Sequence, residues 1–258
     1  MPIRIVSWNV NGLRAATSKR FGQHVATLKP DALMLQETRT FPEQLKDGWS
    51  TPEGWHPVWH PADRPGYAGV ATWTRTPQWV SGVGLPGSHG DGRVLRTRWG
   101  KLELVNVYLP SGSASPEAQE RKDRFMVDFL PWSAALAAQD RPVLLAGDLN
   151  IAHTENDIWN PGGSKRISGF LPHEREWFTT LLAAGWTDLL RTHAGPVKGP
   201  YSWWSNRGRA RAEDRGWRID YVLGNAAAAA RLRNAWVHRP GGLDTSDHAP
   251  VVVDLSSR

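Results

Sequence analysis

VLLAGDLN, residues 143–150, is an apolar, strand-like run that stops on a carboxylate and an amide, Asp148 and Asn150. Four further runs meet polar side chains in the same way: residues 3–8 before Asn9, 32–35 before Gln36-Glu37, 218–219 before Asp220, and Ser246-Asp247-His248 directly before 249–255. Singly, each of these residues is typical of a turn cap. Together, oxygen side chains at strand ends around a histidine indicate an oxygen-ligand metal site in a hydrolase.

The composition excludes several kinds of site. The chain has 258 residues, a formal net charge of +6 and no Cys, so disulfides, thiolate zinc sites and cysteine nucleophiles are excluded. It has no Gly-x-Ser-x-Gly elbow and no P-loop, and the stretch 173–177 (HEREW) lacks the second His of a zinc-protease helix. Because it shows no signal-peptide pattern and no apolar run of membrane-spanning length, we expect a soluble, cytoplasmic protein without membrane contact.

One short stretch, 191–218, holds most of the net charge. It contains seven cationic residues against Glu213 and Asp214, a net +5 of the +6. The cations are Arg191, Lys198, Arg207, Arg209, Arg211, Arg215 and Arg218. Trp203, Trp204 and Trp217 lie among them, and aromatic rings interleaved with Arg favour phosphate contacts and base or sugar stacking. The stretch therefore predicts a nucleic-acid partner; the alternative is a solvated loop.

Periodicity predicts many strands and few helices. We expect strands at 3–8, 32–36, 57–60, 69–74, 94–98, 102–109, 143–147, 218–223, 234–238 and 250–255, and helices at 19–29, 115–130 and from 172 to about 185. Pro131 should end or kink the second helix. The strands come in adjacent groups rather than in strict βαβ alternation, which favours packed sheets with outer helices. No linker divides the chain, so we expect one domain, 1–258.

The strand-end side chains also predict the kind of metal. Asp148 and Asn150 are two residues apart and share one face of a strand. Glu37 ends a buried run, where an unpaired carboxylate is costly and a cation is implied. Oxygen-only ligation selects Mg²⁺, with Mn²⁺ as the alternative, over zinc. His248 has Asp220 available to fix its tautomer, a recurring catalytic arrangement, although a lone His is more often structural.

Seven segments in order resemble the exonuclease III family of abasic-site endonucleases, within the endonuclease/exonuclease/phosphatase fold. They are WNVNGLRA (8–15), LQET (35–38), DGR (91–93), NVYLP (106–110), GDLNIAH (147–153), GWRIDY (216–221) and SDH (246–248), and they extend over nearly the whole chain. The resemblance implies an α/β fold: a four-layer α/β sandwich with two central mixed β-sheets flanked by helices, in a single domain.

The resemblance also implies a role for individual residues. Glu37 would ligate the metal with Asn9 and Asp247, and Asp148 and Asn150 would lie at the same ion. Asp148 would position or deprotonate the attacking water, and Asn150 would hold the scissile phosphate. Tyr108 would bind the phosphate or assist the leaving oxygen, and His248, oriented by Asp220, would stabilise the charged phosphorane. The substrate-binding residues would be Asn11, Arg93, Trp203, Arg207, Trp217 and Ile219, with Trp203, Trp217 and Ile219 forming the pocket for a baseless sugar.

The activity implied is metal-assisted hydrolysis of the phosphodiester bond 5′ to abasic sites in duplex DNA, with 3′–5′ exonuclease or 3′-phosphodiesterase activity as well. The partners would be duplex DNA with abasic sites or 3′ ends, bound by a monomer. One alternative is a predominant 3′–5′ exonuclease, and a remote one is a phosphatase or phospholipase of the same superfamily. Arg39, Ser164 and Ile167 depart from the pattern of the relatives, and the last two weaken the expectation of strict abasic specificity.

Overall fold

The computed structural model describes residues 2–86 and 89–257, without the side chain of His89. The first six-stranded sheet has the order β13-β14-β1-β2-β4-β3. Its strands are β1 Ile3–Asn9, β2 Ala32–Gln36, β3 His56–His60, β4 Val70–Thr74, β13 Leu232–Val237 and β14 Val251–Leu255. Among these strands β1 and β2 pair in parallel and the other neighbours pair antiparallel.

The second six-stranded sheet has the order β5-β6-β7-β8-β12-β9. Its strands are β5 Trp79–Val83, β6 Val94–Trp99, β7 Leu102–Tyr108, β8 Val143–Asp148, β9 Thr187–Asp188 and β12 Asp220–Gly224. Within it β7 and β8 are parallel, and the other pairs are antiparallel. A short separate pair joins β10 Trp203–Trp204 to β11 Gly216–Trp217.

Most of the helices lie on the outer faces of the two sheets, whereas the helix Leu189–Ala194 contributes Leu189 and Leu190 to the core between them. The helices are α1 Leu13–Thr17, α2 Phe21–Leu28, α3 Pro116–Ala137, α4 Pro161–Ser164, α5 Pro172–Ala183, α6 Leu189–Ala194, α7 Ala226–Ala229 and α8 Arg239–Asp244. Three further short segments form 3₁₀ turns: Pro42–Gln44, His89–Asp91 and Glu155–Asp157. No helix in the described part of the chain is long and apolar enough to cross a membrane.

Alternation along the central strands builds four layers. In β1, Ile5 faces the core between the two sheets, and Val6 faces the core under α1 and α2. In β8, Leu144 faces the same central core and Leu145 packs under α3 and α5. Because successive side chains of a strand point to opposite faces, both sides of each sheet are buried. The predicted four-layer sandwich with two mixed sheets is confirmed.

A buried amide pair links the two sheets near the end where β1, β2, β7 and β8 terminate. Asn106 in β7 accepts a hydrogen bond from Gln36 Nε2 at 2.8 Å and donates to the carbonyls of Ala71 at 2.8 Å and Leu35 at 3.1 Å. Buried amides are costly unless they are paired. Their pairing therefore fixes how one sheet lies over the other, and with it the position of the strand ends.

Two expectations about the elements were wrong or incomplete. The helix α3 continues through Pro131 to Ala137 instead of ending there. A helix-interior proline costs about 3 kcal/mol, but the helix buries side chains on both sides of it, Phe129 before and Leu136 after. The strand β5 was missed because its residues are largely exposed and show no alternation.

Tryptophans form much of the outer core of the first sheet. Trp73 is fully buried in β4. Its ring lies 5.6–6.3 Å from those of Phe21, Trp49, Trp55 and Trp59. These rings cover the sheet from α2 and the loop 45–55, so they stabilise the fold.

We predict that Trp73→Ala lowers the free energy of unfolding by about 3–5 kcal/mol, because it opens a large cavity among rings that cannot close it. Urea unfolding followed by circular dichroism measures the change. The matched control is Trp79→Ala, since Trp79 is 53% exposed and its loss should cost less than about 0.5 kcal/mol. Equal effects of the two substitutions would contradict this assignment.

Candidate active site

Strand register brings the polar strand ends together. In the second sheet Tyr108 pairs with Asp148, and Asp148 pairs with Asp220 across the antiparallel neighbour. In the first sheet Asn9 pairs with Gln36, and Glu37 follows directly. Because β1 and β2 are parallel, as are β7 and β8, the carboxyl ends of all four strands lie at one edge of the sandwich.

One amide joins carboxylates from both sheets. Asn9 Nδ2 donates to Glu37 Oε2 and to Asp148 Oδ2, each at 2.9 Å. Asn150 also binds the Asp148 carboxylate. Its main-chain N–H donates to Oδ1 at 2.8 Å, and its side-chain Nδ2 donates to Oδ2 at 3.2 Å. The Asp148 carboxylate is therefore fixed by donors while it stays at the edge of the pocket.

His248 and Asp220 form a buried dyad beside Asp148. His248 Nδ1 lies 2.9 Å from Asp220 Oδ2, and its Nε2 lies 3.9 Å from Asp148 Oδ2. Ser202 Oγ donates to Asp220 Oδ2 at 2.7 Å. A carboxylate on Nδ1 fixes the tautomer and leaves Nε2 directed at the pocket.

Burial and neighbouring charges shift the pKa values of His248 and Asp148. Burial alone lowers the pKa of His248, but the Asp220 carboxylate outweighs it and raises the pKa well above its usual range. Burial raises the pKa of Asp148, with His248 opposing the rise and Asp220 adding to it. At neutral pH the pair thus offers an imidazolium donor next to a carboxylate with raised proton affinity, as acid–base sites do.

The backbone around this cluster is strained. Asn11, Glu37, Arg39 and Asn150 all have positive φ, from 46° to 56°. Left-handed conformations are uncommon in residues other than glycine and cost of order 1–3 kcal/mol each. Four of them at one edge, each with its side chain on the same pocket, indicate that the fold holds these groups in place against local preference.

The cluster forms the floor of an open pocket of about 290 Å³. Trp203 and Trp217 form one wall, edge to face with ring centres 6.1 Å apart, and Ile219 lies beneath them. The pocket is lined by Asn11, Glu37, Arg39, Tyr108, Ser111, Ser113, Asp148, Asn150, Ile167, Ser168, Gly169, Trp203, Trp217, Ile219, Asp247 and His248. It thus combines a charged floor with a wall of apolar rings.

The donors on the floor suit a hard divalent cation. Glu37, Asp148 and Asp247 all line the pocket, and of the nearby cations Arg39 pairs with Glu37 and His248 with Asp220. Carboxylate oxygens are the ligands that Mg²⁺ prefers. A second group, Asp148, Asp220 and His248, also places its ligand atoms within 4.8 Å of one another. In that group, however, Asp220 and His248 are hydrogen-bonded to each other.

The chain is similar over this architecture to known nucleases. Residues 6–248 match the model of the "Endonuclease/Exonuclease/phosphatase family". An exodeoxyribonuclease of Bacillus subtilis is 35% identical over 98% of this chain and 100% of its own. A DNA-(apurinic or apyrimidinic site) endonuclease of Dictyostelium discoideum is 35% identical over 98% of this chain and 71% of its own. The chain belongs to the endonuclease/exonuclease/phosphatase family.

A solved member of the family has the same fold. A 3′ phosphatase from Neisseria, bound to a product DNA hairpin, superposes with a TM-score of 0.89 at 29% identity, over 98% of this chain and 99% of that one. The predicted family resemblance is confirmed.

Within the family fold, most of the predicted site residues line the pocket, and four do not. Asp220 lies behind His248, and the other three are Asn9, Arg93 and Arg207. Asn9 lies under the pocket floor with its Oδ1 bonded to the Asn11 N–H at 2.9 Å, so it presents N–H groups to the carboxylates. Arg93 lies beneath Tyr108 and donates to its carbonyl at 3.1 Å and to the Tyr67 hydroxyl at 2.7 Å. Arg207 lies in an exposed loop outside the pocket wall.

The basic stretch, which predicted a nucleic-acid partner, is only partly available to one, because some of its residues are buried or paired with carboxylates. Arg218 is buried between Asp157 and Asp188 at 2.6 Å each. Arg191 also pairs with Asp157, at 2.5 Å, and Trp204 is fully buried. These residues hold the segment that carries Trp217 and Ile219, so their role here is structural.

Sequence reasoning missed several residues of the site. Ser202 orients Asp220, and Ser111, Ser113 and Ser168 line the pocket. Serines in loops give no pattern that separates them from ordinary turn residues. Only long-range packing brings them to the pocket.

The Asp157 cluster should make stability depend on pH. Burial alone would raise the pKa of Asp157, but Arg218 and Arg191 hold it down to about 2. Since this folded-state pKa lies below the unfolded one, the stabilisation is complete above about pH 4 and is lost as the pH falls towards 2. We predict that wild type is more stable than Asp157→Asn at pH 7.

Urea unfolding at pH 7, 5 and 3 measures this difference. The difference in unfolding free energy between wild type and Asp157→Asn should become smaller at pH 3, because at that pH Asp157 of the wild type starts to bind a proton on unfolding. A gap that stays constant across these three pH values would contradict the assignment.

Proposed function

We propose that this chain is a divalent-metal-dependent DNA-repair nuclease that hydrolyses the phosphodiester bond 5′ to abasic sites in duplex DNA. One observation carries the proposal: His248, held by Asp220, and three carboxylates line the floor of a pocket walled by Trp203 and Trp217. Relatives named as nucleases match over 98% of the chain, which favours a nuclease over a phosphatase or phospholipase.

The chain's own residues divide the reaction between them. Glu37 and Asp247 would hold Mg²⁺, with Mn²⁺ as the alternative, and Asp148 would share it. When bound, such an ion supplies positive charge next to the phosphate oxygens. Asp148, fixed by Asn9 and Asn150, accepts a proton from the attacking water. His248 donates from Nε2 to a phosphate oxygen as negative charge develops there.

Tyr108 completes the site on the leaving-group side. Burial raises the pKa of its phenol well above 10, and the nearby carboxylates Glu37 and Asp148 add to the rise. The phenol therefore stays protonated at neutral pH and can donate to the leaving oxygen. Each such acid–base contribution is typically worth about 10²–10⁴-fold, so positioning and charge supply the rest.

The walls of the pocket support an abasic site as the substrate. Trp203 and Trp217 meet edge to face, and Ile219 closes the floor between them. Rings at this spacing pack against a baseless deoxyribose extruded from the duplex, and they leave little room for a nucleotide that still carries its base. The cytoplasmic location and the monomeric state remain predictions from sequence.

We predict that the chain nicks a duplex with one abasic analogue in Mg²⁺, and that EDTA abolishes the cleavage. Asp148→Asn, which keeps the shape but not the basicity of the side chain, should lower single-turnover cleavage by about 10²–10⁴-fold. The melting temperature of the variant controls for folding. Near-normal nicking by the folded variant would contradict the role of Asp148, and no metal-dependent cleavage by wild type would contradict the enzyme.

A second candidate function is that the chain mainly removes nucleotides or blocking groups from 3′ ends. Ile167 favours it, because this branched apolar side chain is 46% exposed at the pocket. There it narrows the access of a continuous strand more than that of a strand end. The solved relative with a TM-score of 0.89 is a 3′ phosphatase, which also favours this candidate.

We predict that Ile167→Ala raises the ratio of abasic-site cleavage to 3′-end removal several-fold, because it widens the pocket rim. Parallel assays on an abasic duplex and on a recessed-end duplex measure the ratio. Val127→Ala is the control, since Val127 is 71% exposed on α3 and outside the pocket. An unchanged ratio in Ile167→Ala would mean that the rim does not select the substrate.

A further inference from the structure

A fully buried ion pair joins the two helices that cover the second sheet. Lys122 Nζ of α3 lies 2.5 Å from Glu174 Oε1 of α5, and both side chains are 0% exposed. Burial lowers the pKa of Lys122, and Glu174 opposes that shift. Desolvating two charges is costly, and a well-packed apolar pair of similar volume is often at least as stable. Stability alone therefore does not account for the pair.

The lysine reaches a residue of the pocket floor. Its Nζ donates to the main-chain carbonyl of Asn150 at 2.9 Å. Asn150 has a left-handed backbone, with φ of 51°, and its Nδ2 bonds both Leu109 O and the Asp148 carboxylate. In such a strained conformation, the direction of the side chain depends on what holds the main chain.

The glutamate reaches the rim of the same pocket. Its Oε2 accepts hydrogen bonds from the main-chain N–H groups of Gly169 at 2.6 Å and Leu171 at 3.0 Å. Gly169 packs so closely that an added Cβ would lie 3.0 Å from Asn150 O and 3.1 Å from the Trp217 ring. The segment 167–169, which lines the pocket, is thereby held against both the floor and the ring wall.

We propose that Lys122 and Glu174 are positioning residues for the hydrolysis. The one ion pair sets both the Asn150 amide that holds Asp148 and the rim segment 167–169. This inference rests on the proposed function. Neither residue touches the pocket, so each acts through the groups that it bonds. The lysine end governs the chemical step through Asn150, and the glutamate end governs substrate fit through Gly169.

The test is the double variant Lys122→Met/Glu174→Gln, which removes both charges with little change of volume and avoids an unpaired buried charge. The glutamine oxygen at position 174 can still accept from the Gly169 N–H, whereas the bond to Asn150 O is lost. We predict that kcat on an abasic duplex in Mg²⁺ falls about tenfold to a hundredfold, the size expected for a small misplacement. KM should stay within about threefold, since the rim is retained.

The matched control is Glu103→Gln. Glu103 is also 0% exposed and paired with arginines, Arg96 and Arg141. It lies five residues from Tyr108 in β7, about 16 Å along the strand. The loss of the Glu103 charge should lower the urea concentration at the midpoint of unfolding. It should leave the kcat of the folded protein unchanged.

Three results would overturn the inference. A folded double variant with wild-type kcat would show that the pair does not position Asn150. An equal fall of kcat in Glu103→Gln would show that any buried ion pair has the same effect. Inactivity of the wild-type protein on every DNA substrate would overturn the proposed function, and this inference with it. That outcome can be told apart from a loss of activity in the double variant alone, which leaves the proposed function standing.

Discussion

The concentration of negative charge at one edge of the sandwich constrains the rest of the structure. Glu37, Asp148, Asp220 and Asp247 are all largely buried there, and buried carboxylates require positive charge or donors. His248 balances Asp220, and Arg39 pairs with Glu37. The remaining excess of carboxylate is what makes a divalent cation fit the site, because its charge compensates groups that the fold itself leaves unbalanced.

The fold holds this arrangement by linking its layers where the charges meet. Asn9 from the first sheet bonds Asp148 of the second, and Asn106 of the second bonds backbone carbonyls of the first. If the sheets slid against each other, both sets of bonds would break. The left-handed residues around the pocket persist for the same reason, since neighbouring bonds over-determine the backbone there. Rigidity at this edge is thus a property of both sheets together.

The strand pattern was enough to predict packed sheets with outer helices and which strand ends carry polar side chains, because apolar runs that stop on Asp, Asn or Glu are visible in one dimension. The two-sheet sandwich itself followed from the resemblance to the family. The sequence did not reveal what is buried. Arg218 and Trp204 were read as part of a DNA-binding stretch, although Arg218 pairs with Asp157, 61 residues away. Lys122, which lies 52 residues before Glu174, gave no signal for the same reason. Local composition reports charge, whereas burial depends on distant partners.

Chemistry and substrate choice come from different parts of this molecule. The groups proposed for hydrolysis lie at strand ends that the sheets fix: Glu37 follows β2, and Asp148 ends β8. The walls proposed to select a sugar or a strand end come from loops and short strands, such as 167–169 and β10. Loops tolerate substitution better than paired strands. Proteins with the same strand-end groups can therefore differ in substrate, which is consistent with relatives of this chain named both as exodeoxyribonuclease and as apurinic-site endonuclease.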